Sequence, residues 1–435
     1  MLGGGTFTAQ NKIIPGTYIN FVSLASASST LLDRGVATMP LASDWGVPGK
    51  VFEVTNTEFV KNSMKLFGYP YDHEKMKGLR DLFKNIKTLY AYRLVGNTAE
   101  KAKSGDGNVI AKYPGVAGNN ITLKVTAIPG DDVAYIVETY FNNVLVDSVT
   151  TTDDGADIHN DYVDATFLLG GASTITLTGG TNGTITGDEY QAYFDAIESY
   201  SFNALGVVTA DDDIKGLCAN FCKRLRDEMG IKFQAVVYNY KADYEGVINV
   251  KNKVTDANES EASLVYWVTG IIAGCAVNAS NLNKLYDGEF TVDTNYTQKQ
   301  LEEAIIAGEF TLHNVGFDVR VLEDINSLTT TTDAKNELFK DNQTIRVIDQ
   351  IANDTATLFN TKYLGNVPND ESGRISLWND LVKLREELQN IRAIENFADG
   401  DVSVSAGATK NSVVVTDAIE IINTMAKLYM TTTIA

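Results

Sequence analysis

The chain closes on SVVVTDAIEIINTMAKLYMTTTIA (412–435), a stretch rich in β-forming residues that ends without a polar tail. If its first half is extended, both faces of the strand are apolar. Val413, Val415, Ile419 and Ile421 lie on one face, and Val414, Ala418 and Ile422 lie on the other. After a break at 423–426, a second run places Leu428, Met430, Thr432 and Ile434 on one face and Tyr429, Thr431 and Thr433 on the other. An unpaired edge this apolar would fray or aggregate, which predicts a partner strand.

The beginning of the chain has the same character. A strand of about nine residues is predicted there from alternation, with Ile13, Ile19 and Phe21 alternating with Tyr18 and Val22. The run SLASASST (23–30) follows as a tether that is poor in bulky side chains. From Phe21 to Leu31 it can span roughly 30 Å when extended, which is enough to reach a neighbouring molecule. Two such ends fit either pairing within one domain or strand exchange between copies, and the pattern leaves both open.

Composition indicates a folded protein of several domains. The 435 residues, 44% apolar and 9% aromatic, suffice for roughly two to four domains with ample cores. The formal charge of −20 argues against nucleic acid and anionic membrane as partners, because a phosphate-binding surface needs clustered Lys and Arg. The opening MLGGG (1–5) lacks the regions of a signal peptide. Three cysteines supply no disulfide framework, which is expected of a protein made in a reducing cytoplasm.

Strands and helices alternate through much of the chain, which predicts an α/β body. The first part, 31–96, has strands at 36–41 and 88–94 and helices near 57–67 and 73–85. The pattern resumes over 188–326, with helices at 188–200, 211–229, 262–276 and 298–307 and strands at 205–208, 233–238 and 315–322. The apolar stretch 264–277 is too short to cross a bilayer. We predict a buried helix there, in which Gly270 and Gly274 let another backbone approach closely.

Two other regions differ from this body in composition and in their predicted elements. Residues 97–187 are rich in Thr, Gly, Asn and Asp, with β-runs at 121–128, 134–141, 144–150 and 174–178, which predicts an inserted all-β sandwich or barrel. We expect this insertion to be a peripheral, independently folded unit. Residues 327–411 carry two long helices at about 336–359 and 376–397. The predicted fold is therefore a multidomain α/β protein with a central mixed sheet, an all-β insertion and a C-terminal α+β domain.

Motifs for chemistry are weak throughout. Cys218 and Cys222 stand four apart on one predicted helix face, but without a third Cys or His nearby they are interpreted as core thiols. The acidic loop 153–161, with Asp154, Asp157 and His159, departs from the spacing of a Ca²⁺ loop and is interpreted as a solvated turn. The sequences of nucleotide-binding, serine-hydrolase and zinc-protease motifs do not occur. We expect no catalysis, no metal and no cofactor.

Several segments, taken in order, resemble the contractile tail sheath proteins, in the branch found in prophages of Gram-positive bacteria and in R-type bacteriocins. They are PGTYINF (15–21), RGV (34–36), PL (40–41), WG (45–46), AKYPG (111–115), LTGG (177–180), DINSLTT (324–330) and KLYMT (427–431). The resemblance covers nearly the whole chain. NTMA (423–426) departs from the acidic stretch that relatives often have before the Leu-Tyr-Met motif.

The resemblance implies a subunit that polymerises as stacked hexameric rings around an inner tube and contracts to drive the tube through a cell envelope. It implies that 1–30 is a linking arm, that 412–435 are linking strands, and that both terminal strands are exchanged between copies. The implied partners are copies of the chain itself, the inner tube, and baseplate and tail terminator proteins. Assembly is expected in the bacterial cytoplasm, before release in a phage tail or bacteriocin particle. The alternative is an α/β hydrolase or carbohydrate-active enzyme with a β-sandwich binding module.

One further prediction concerns the second long helix. Leu377, Leu381, Leu384, Leu388 and Ile391 recur at the spacing of a core stripe. Arg385 and Arg392 stand seven apart, within roughly 20° of each other on a second stripe, if the helix is continuous. Either these are ordinary surface arginines paired with local acids, or they form a row that contacts the inner tube. The tube contact is a hypothesis that draws on the family, in which a C-terminal helix touches the tube.

Overall fold

The computed structural model describes residues 31–130, 134–152, 158–166 and 172–434. The described residues form two compact units. The main unit comprises 33–349 and 423–434, and the C-terminal unit comprises Leu31, Leu32 and 350–422. Ile13, Tyr18, Ile19 and Phe21 lie outside the described residues.

The described residues include strands and helices in alternation. The strands are β1 (Val36–Leu41), β2 (Val51–Thr55), β3 (Thr88–Arg93), β4 (Val109–Ala111), β5 (Ile121–Ala127), β6 (Ala134–Phe141), β7 (Val144–Thr152), β8 (Val163–Ala165), β9 (Ser173–Thr176), β10 (Ala204–Val207), β11 (Gln234–Tyr238), β12 (Val247–Val250), β13 (Glu309–Phe310), β14 (Leu312–Val315), β15 (Asp318–Val321), β16 (Ile394–Glu395), β17 (Val402–Ala406), β18 (Val413–Asp417) and β19 (Glu420–Ile421). The α-helices are α1 (Asn56–Phe67), α2 (Lys77–Phe83), α3 (Gly187–Ile197), α4 (Asp212–Asp227), α5 (Leu264–Gly274), α6 (Gln298–Ile306), α7 (Asn342–Leu358) and α8 (Glu371–Asn390). No helix in the described ranges combines the length and the apolar character needed to cross a membrane.

A seven-stranded sheet forms the centre of the main unit, in the order β13-β12-β11-β10-β1-β3-β2. Neighbouring strands are parallel except for β2, which runs antiparallel to β3. The side chains of β11 alternate between two cores: Val236 faces the core with α2 and α5, and Val237 faces the core with α3 and α4. Helices therefore cover both faces of the sheet, which explains why its central strands are almost continuously apolar.

The glycines of α5 have the role predicted from the sequence. A Cβ on Gly274 would lie 1.8 Å from the backbone oxygen of Asn85, and one on Gly270 would lie 2.8 Å from the oxygen of Leu82. Both oxygens belong to α2 or to the residues just after it. These two positions let the backbones of α5 and α2 approach more closely than any larger residue allows.

The insertion is built from β4 to β9. It holds a four-stranded antiparallel sheet in the order β7-β6-β5-β9 and the pair β4–β8. The expectation that it folds independently is not supported, because its apolar side chains belong to the same core as α2 and α5. Trp45, fully buried after β1, contacts Tyr113, Phe141 and Tyr162 of the insertion. The insertion therefore packs onto the α/β body as part of one core.

Three predicted elements differ in the structure. The single strand expected at 315–322 is the hairpin β14–β15, because the chain turns at Gly316 with φ of +65°. The helix expected from 336 begins at Asn342. The helix expected over 376–397 is α8, which begins earlier because the Asp370 side chain accepts a hydrogen bond from the N–H of Gly373 at 2.7 Å. It also ends earlier, since Arg392 has φ of +61°.

Candidate interaction surfaces

The C-terminal unit presents a two-stranded sheet with open edges. β17 and β18 pair antiparallel over five residue pairs, from Val402 opposite Asp417 to Ala406 opposite Val413. Within the described ranges neither strand has another strand partner. The hairpin rests on α8, where Trp378 Nε1 donates a hydrogen bond to the backbone oxygen of Val402 at 2.9 Å. An open edge of this kind exposes backbone donors and acceptors that can pair with an added strand.

An apolar trough of about 390 Å³ lies beside β18 in the same unit. Val413 and Val415 line it from the sheet. Side chains of α7, of α8 and of the residue just after α7 line the rest, among them Ile351, Ala352, Ala356, Leu381 and Phe359. A strand added along β18 would place alternate side chains against this apolar surface, which is the geometry of strand addition with side-chain pockets.

The trough ends on a buried ion pair. Arg385 of α8 is 3% exposed, and its guanidinium contacts the carboxylate of Asp417 at 2.6 Å. Arg385 Nη2 also donates to the hydroxyl of Thr355 at 3.4 Å. Buried charges are tolerated when they are paired, so this pair is part of the packing of the C-terminal unit.

The predicted arginine row is therefore corrected. Arg385 does not lie on an exposed stripe, because its side chain is used inside its own unit by Asp417. Arg392 is exposed but lies beyond the end of α8 at Asn390, in a left-handed conformation. The two side chains do not share a helical face. The apolar stripe was predicted correctly at four positions, since Leu377, Leu381, Leu384 and Leu388 are all buried, whereas Ile391 is 37% exposed.

The first described residues are held by carboxylates of the C-terminal unit. The N–H of Leu31 donates to Glu387 Oε2 at 3.1 Å, and the N–H of Leu32 donates to Asp354 Oδ1 at 3.0 Å. Gln350 Nε2 donates to the backbone oxygen of Leu32 at 3.1 Å. Burial raises the pKa of Asp354, although the hydrogen bond from Leu32 acts in the opposite direction. The described chain therefore begins at a fixed point on α7 and α8.

The closing stretch of the chain divides into a half that contributes strands and a half without regular secondary structure. Val413 and Val415 belong to β18, and Ile419 is half-buried between β18 and β19, which pairs with β16. Along these edges the first half therefore pairs with other strands of the same chain. A role of the other edge of β18 in contacts between subunits stays a prediction. From 422 to 434 the chain has no regular secondary structure. Large apolar side chains in that part are almost fully exposed: Met425 99%, Leu428 87%, Tyr429 88%, Met430 78% and Ile434 93%.

The candidate chemical groups form no site in the described part of the chain. Cys218 and Cys222 are both buried, and burial raises the pKa of each thiol. Asp154 and Asp157 lie outside the described residues, and His159 Nδ1 lies 3.1 Å from Asp164. Among described side chains no group of three or more His, Cys, Asp or Glu is placed to hold a metal.

Comparison with protein families matches three regions of the chain. Residues 34–94 match the tail sheath protein Gp18 domain III N-terminal region. Residues 183–327 match the phage tail sheath protein central domain, and residues 334–435 match the phage tail sheath C-terminal domain.

Individual relatives match over almost their full length. The phage-like element PBSX protein XkdK of Bacillus subtilis is 30% identical, with 98% of this chain and 99% of the relative covered. The crystal structure of a sheath tail protein from Desulfitobacterium hafniense is 33% identical, with a TM-score of 0.83 over 95% of this chain and 99% of that one. A sheath tail protein from Listeria innocua is 31% identical, with a TM-score of 0.76 over 91% of this chain and 93% of that one.

Proposed function

Because this chain belongs to the phage tail sheath protein family, we propose that it polymerises as stacked hexameric rings around an inner tube and contracts once to drive that tube through a target cell envelope. Membership of this family gives the chain a structural role as a component of a phage-type tail, and it is not an enzyme. The hydrolase alternative is set aside on that ground. The inner tube, baseplate and tail terminator proteins are its proposed partners, with assembly in the bacterial cytoplasm before release in a particle.

The observation that supports polymerisation is the presence of complementary surfaces on one chain. The segment 423–434 exposes Leu428, Tyr429 and Met430 without regular secondary structure. The hairpin β17–β18 offers open edges beside an apolar trough. A donor segment and a different acceptor surface on the same molecule produce head-to-tail contacts, and such contacts build helical filaments when the rotation does not close.

Strand addition supplies the proposed link between copies. Each terminal segment, the arm 1–30 and the strands of 412–435, would add to a sheet of a neighbouring subunit, with Ile13, Tyr18, Ile19 and Phe21 in one added strand and Leu428, Tyr429 and Met430 in another. Each backbone hydrogen bond in such a ladder contributes about 0.5–1.5 kcal/mol net. In this proposal the run 23–30, poor in bulky side chains, is the tether that lets the subunits change their relative positions while the added strands stay paired.

Contraction is proposed as a rigid-body rearrangement of subunits that stay linked in this way. In such a transition the extended lattice is one packing of the subunits and the contracted lattice is another of lower free energy. Of the two arginines in the hypothesis of a tube contact, only Arg392 is exposed, so the proposed contact would involve Arg392 without Arg385.

Removal of the terminal segments tests the proposal. One variant lacks 1–22 and a second lacks 423–435, and each is compared with the full chain by negative-stain microscopy and by thermal melting. We expect the full chain to form tubes and both variants to remain soluble and short, because their missing strands are supplied by no other part of the chain. The melting temperature of each variant should stay close to that of the unassembled full-length subunit. Long, ordered tubes from either variant would rule out the linking role of that segment.

A further inference from the structure

Helix α7 buries an unusual number of polar side chains. Seven of its 17 residues are polar or charged and at most 4% exposed: Asn342, Gln343, Thr344, Arg346, Asp349, Gln350 and Asp354. A polar group that leaves water destabilises the fold unless it finds hydrogen bonds inside the protein. The partners of these side chains therefore show which parts of the chain the helix holds.

Two of these side chains hold the backbone where the described chain begins, at residues 31–32, which we call the entry root. The N–H of Leu32 donates to Asp354 Oδ1 at 3.0 Å, and the backbone oxygen of Leu32 accepts from Gln350 Nε2 at 3.1 Å. Gln350 Nε2 also donates to Asp354 Oδ1 at 2.8 Å, which keeps the two side chains in place. All of these residues belong to the C-terminal unit. The entry root is therefore held through its backbone groups.

Two others hold the start of the C-terminal segment, at residues 423–424, which we call the exit root. The N–H of Thr424 donates to Gln343 Oε1 at 3.1 Å, and Asn423 Nδ2 donates to the hydroxyl of Thr344 at 3.4 Å. These residues belong to the main unit. From 425 to 434 every residue is exposed and has no regular secondary structure. The exit root is therefore held immediately before the exposed part of the segment.

Buried ion pairs fix α7 itself between the residues that hold the two roots. Arg346 Nη2 lies 3.2 Å from Asp324 Oδ2, and Asp349 Oδ2 lies 2.6 Å from Arg226 Nη1. The helix is uninterrupted from Asn342 to Leu358, and a continuous α-helix is a semi-rigid spacer. It therefore keeps the residues that hold the two roots at a constant spacing.

We propose that α7 positions both terminal links of a subunit, the arm 1–30 and the segment 423–435, by fixing the point at which each link leaves the fold. This inference rests on the polymerisation proposed above and names the residues that set the geometry of the links. A flexible segment that starts from a fixed point has fewer arrangements to lose when it binds a neighbour. Two fixed points on one helix make every copy present its links in the same way, as a regular helical lattice requires.

Single substitutions on α7 release one root at a time. Asp354→Leu removes the acceptor for the N–H of Leu32, and Asp354→Asn is its conservative counterpart because it keeps a carbonyl oxygen. Gln343→Met removes the acceptor for the N–H of Thr424. Gln234→Met is the matched control, since Gln234 is also a buried glutamine that bonds α7, with its Nε2 2.8 Å from Asn342 Oδ1. Asn342 is not one of the four residues that hold the roots.

Hydrogen exchange and electron microscopy then give two independent readouts. After thermal melting has shown that each variant is folded, exchange in unassembled subunits is followed by mass spectrometry of peptides covering 31–35 and 422–426. Exchange should become about 10-fold faster or more at the entry root in Asp354→Leu and at the exit root in Gln343→Met, as expected when one such hydrogen bond is lost. Asp354→Asn and Gln234→Met should keep native exchange at both roots. Tubes of the two root variants should lose the sharp layer lines of native tubes, and those of the other two should keep them.

The outcomes separate this inference from the proposed function. Faster exchange at a root, together with tubes as regular as the native ones, would overturn the positioning role of α7. Native exchange in both root variants would overturn it as well, because the side chains of α7 would then not hold the roots. If the native chain forms no tubes while exchange changes as expected, the failure lies with the proposed function and not with the hold of α7 on the two roots.

Discussion

At the scale of single residues, buried ion pairs tie separate segments of the main unit together. Arg226 of α4 contacts Asp349 of α7 through two hydrogen bonds of 2.6 and 2.8 Å, and the two side chains are 4% and 6% exposed. Arg346 and Asp324 form a second pair at 3.2 Å with almost no exposure. A buried pair adds little net stability when intact, but removing one partner leaves an uncompensated charge. Such residues therefore matter more for how the segments are arranged than for total stability.

Asp349→Ala tests this reasoning. We expect a loss of about 3–5 kcal/mol in the free energy of unfolding, measured by urea denaturation, because the guanidinium of Arg226 stays buried without its counter-charge. The control is Asp33→Ala, which removes the exposed partner of Lys87 and should change stability by about 0–1 kcal/mol. Equal small losses from both variants would show that water or another group compensates Arg226.

At the scale of elements, the contact between α2 and α5 depends on glycines that were recognisable in the sequence. Gly270 and Gly274 lie against backbone oxygens of α2 or of the residues just after it. A Cβ on Gly274 would lie 1.8 Å from the oxygen of Asn85, which is closer than any non-bonded carbon–oxygen contact. The contact sets how closely α5 lies over the central sheet, since α5 also packs on β10 and β11. A larger residue must therefore move a whole helix and not merely a side chain.

Gly274→Ala should lower the free energy of unfolding by about 1–3 kcal/mol, because the added methyl group overpacks the contact with Asn85. The better helix propensity of alanine acts in the opposite direction and limits the loss. Gly105→Ala is the control, since a Cβ there meets nothing within 4 Å. Thermal and urea unfolding of both variants give the comparison. A Gly274→Ala protein as stable as the control variant would mean that α2 shifts at no cost.

At the scale of the whole molecule, the net charge opposes assembly. Each copy carries a formal charge of −20, so identical subunits that pack side by side repel one another. Strand addition and burial of apolar side chains are short-range and depend little on salt, whereas the repulsion between exposed charges is screened over about 10 Å at 0.1 M ionic strength. Assembly through the proposed links should therefore become easier as salt is added.

The critical concentration for tube formation should fall several-fold between about 0.02 and 0.3 M NaCl, a range over which the screening length shortens markedly. Sedimentation at constant pH measures it, and a second monovalent salt at equal ionic strength controls for specific ion effects. A critical concentration that rises with salt would show instead that opposite charges hold the subunits together.

Local patterns in the sequence were enough to identify the type of most elements. Alternation predicted β6 with its observed bounds, and the acidic run 211–213 correctly marked the start of α4, where the Asp211 side chain accepts from the N–H of Asp213. The leucine stripe of α8 was correctly assigned to the core. These features depend on residues a few positions apart, because side-chain periodicity decides which face of an element is buried.

Tertiary contacts decided everything that depends on a distant partner. The sequence left open whether the strand at 413–417 pairs within its own domain or with another copy, and the structure pairs one of its edges with β17. Arg385 looked exposed until the structure placed Asp417 on it. The insertion looked separate, yet it shares a core with the body through Trp45. The sequence alone identified the apolar ends of the chain and the family it resembles. Only the folded chain showed that one of those ends contributes strands in its first half and has no regular secondary structure in its second, because pairing depends on which segments long-range packing brings together.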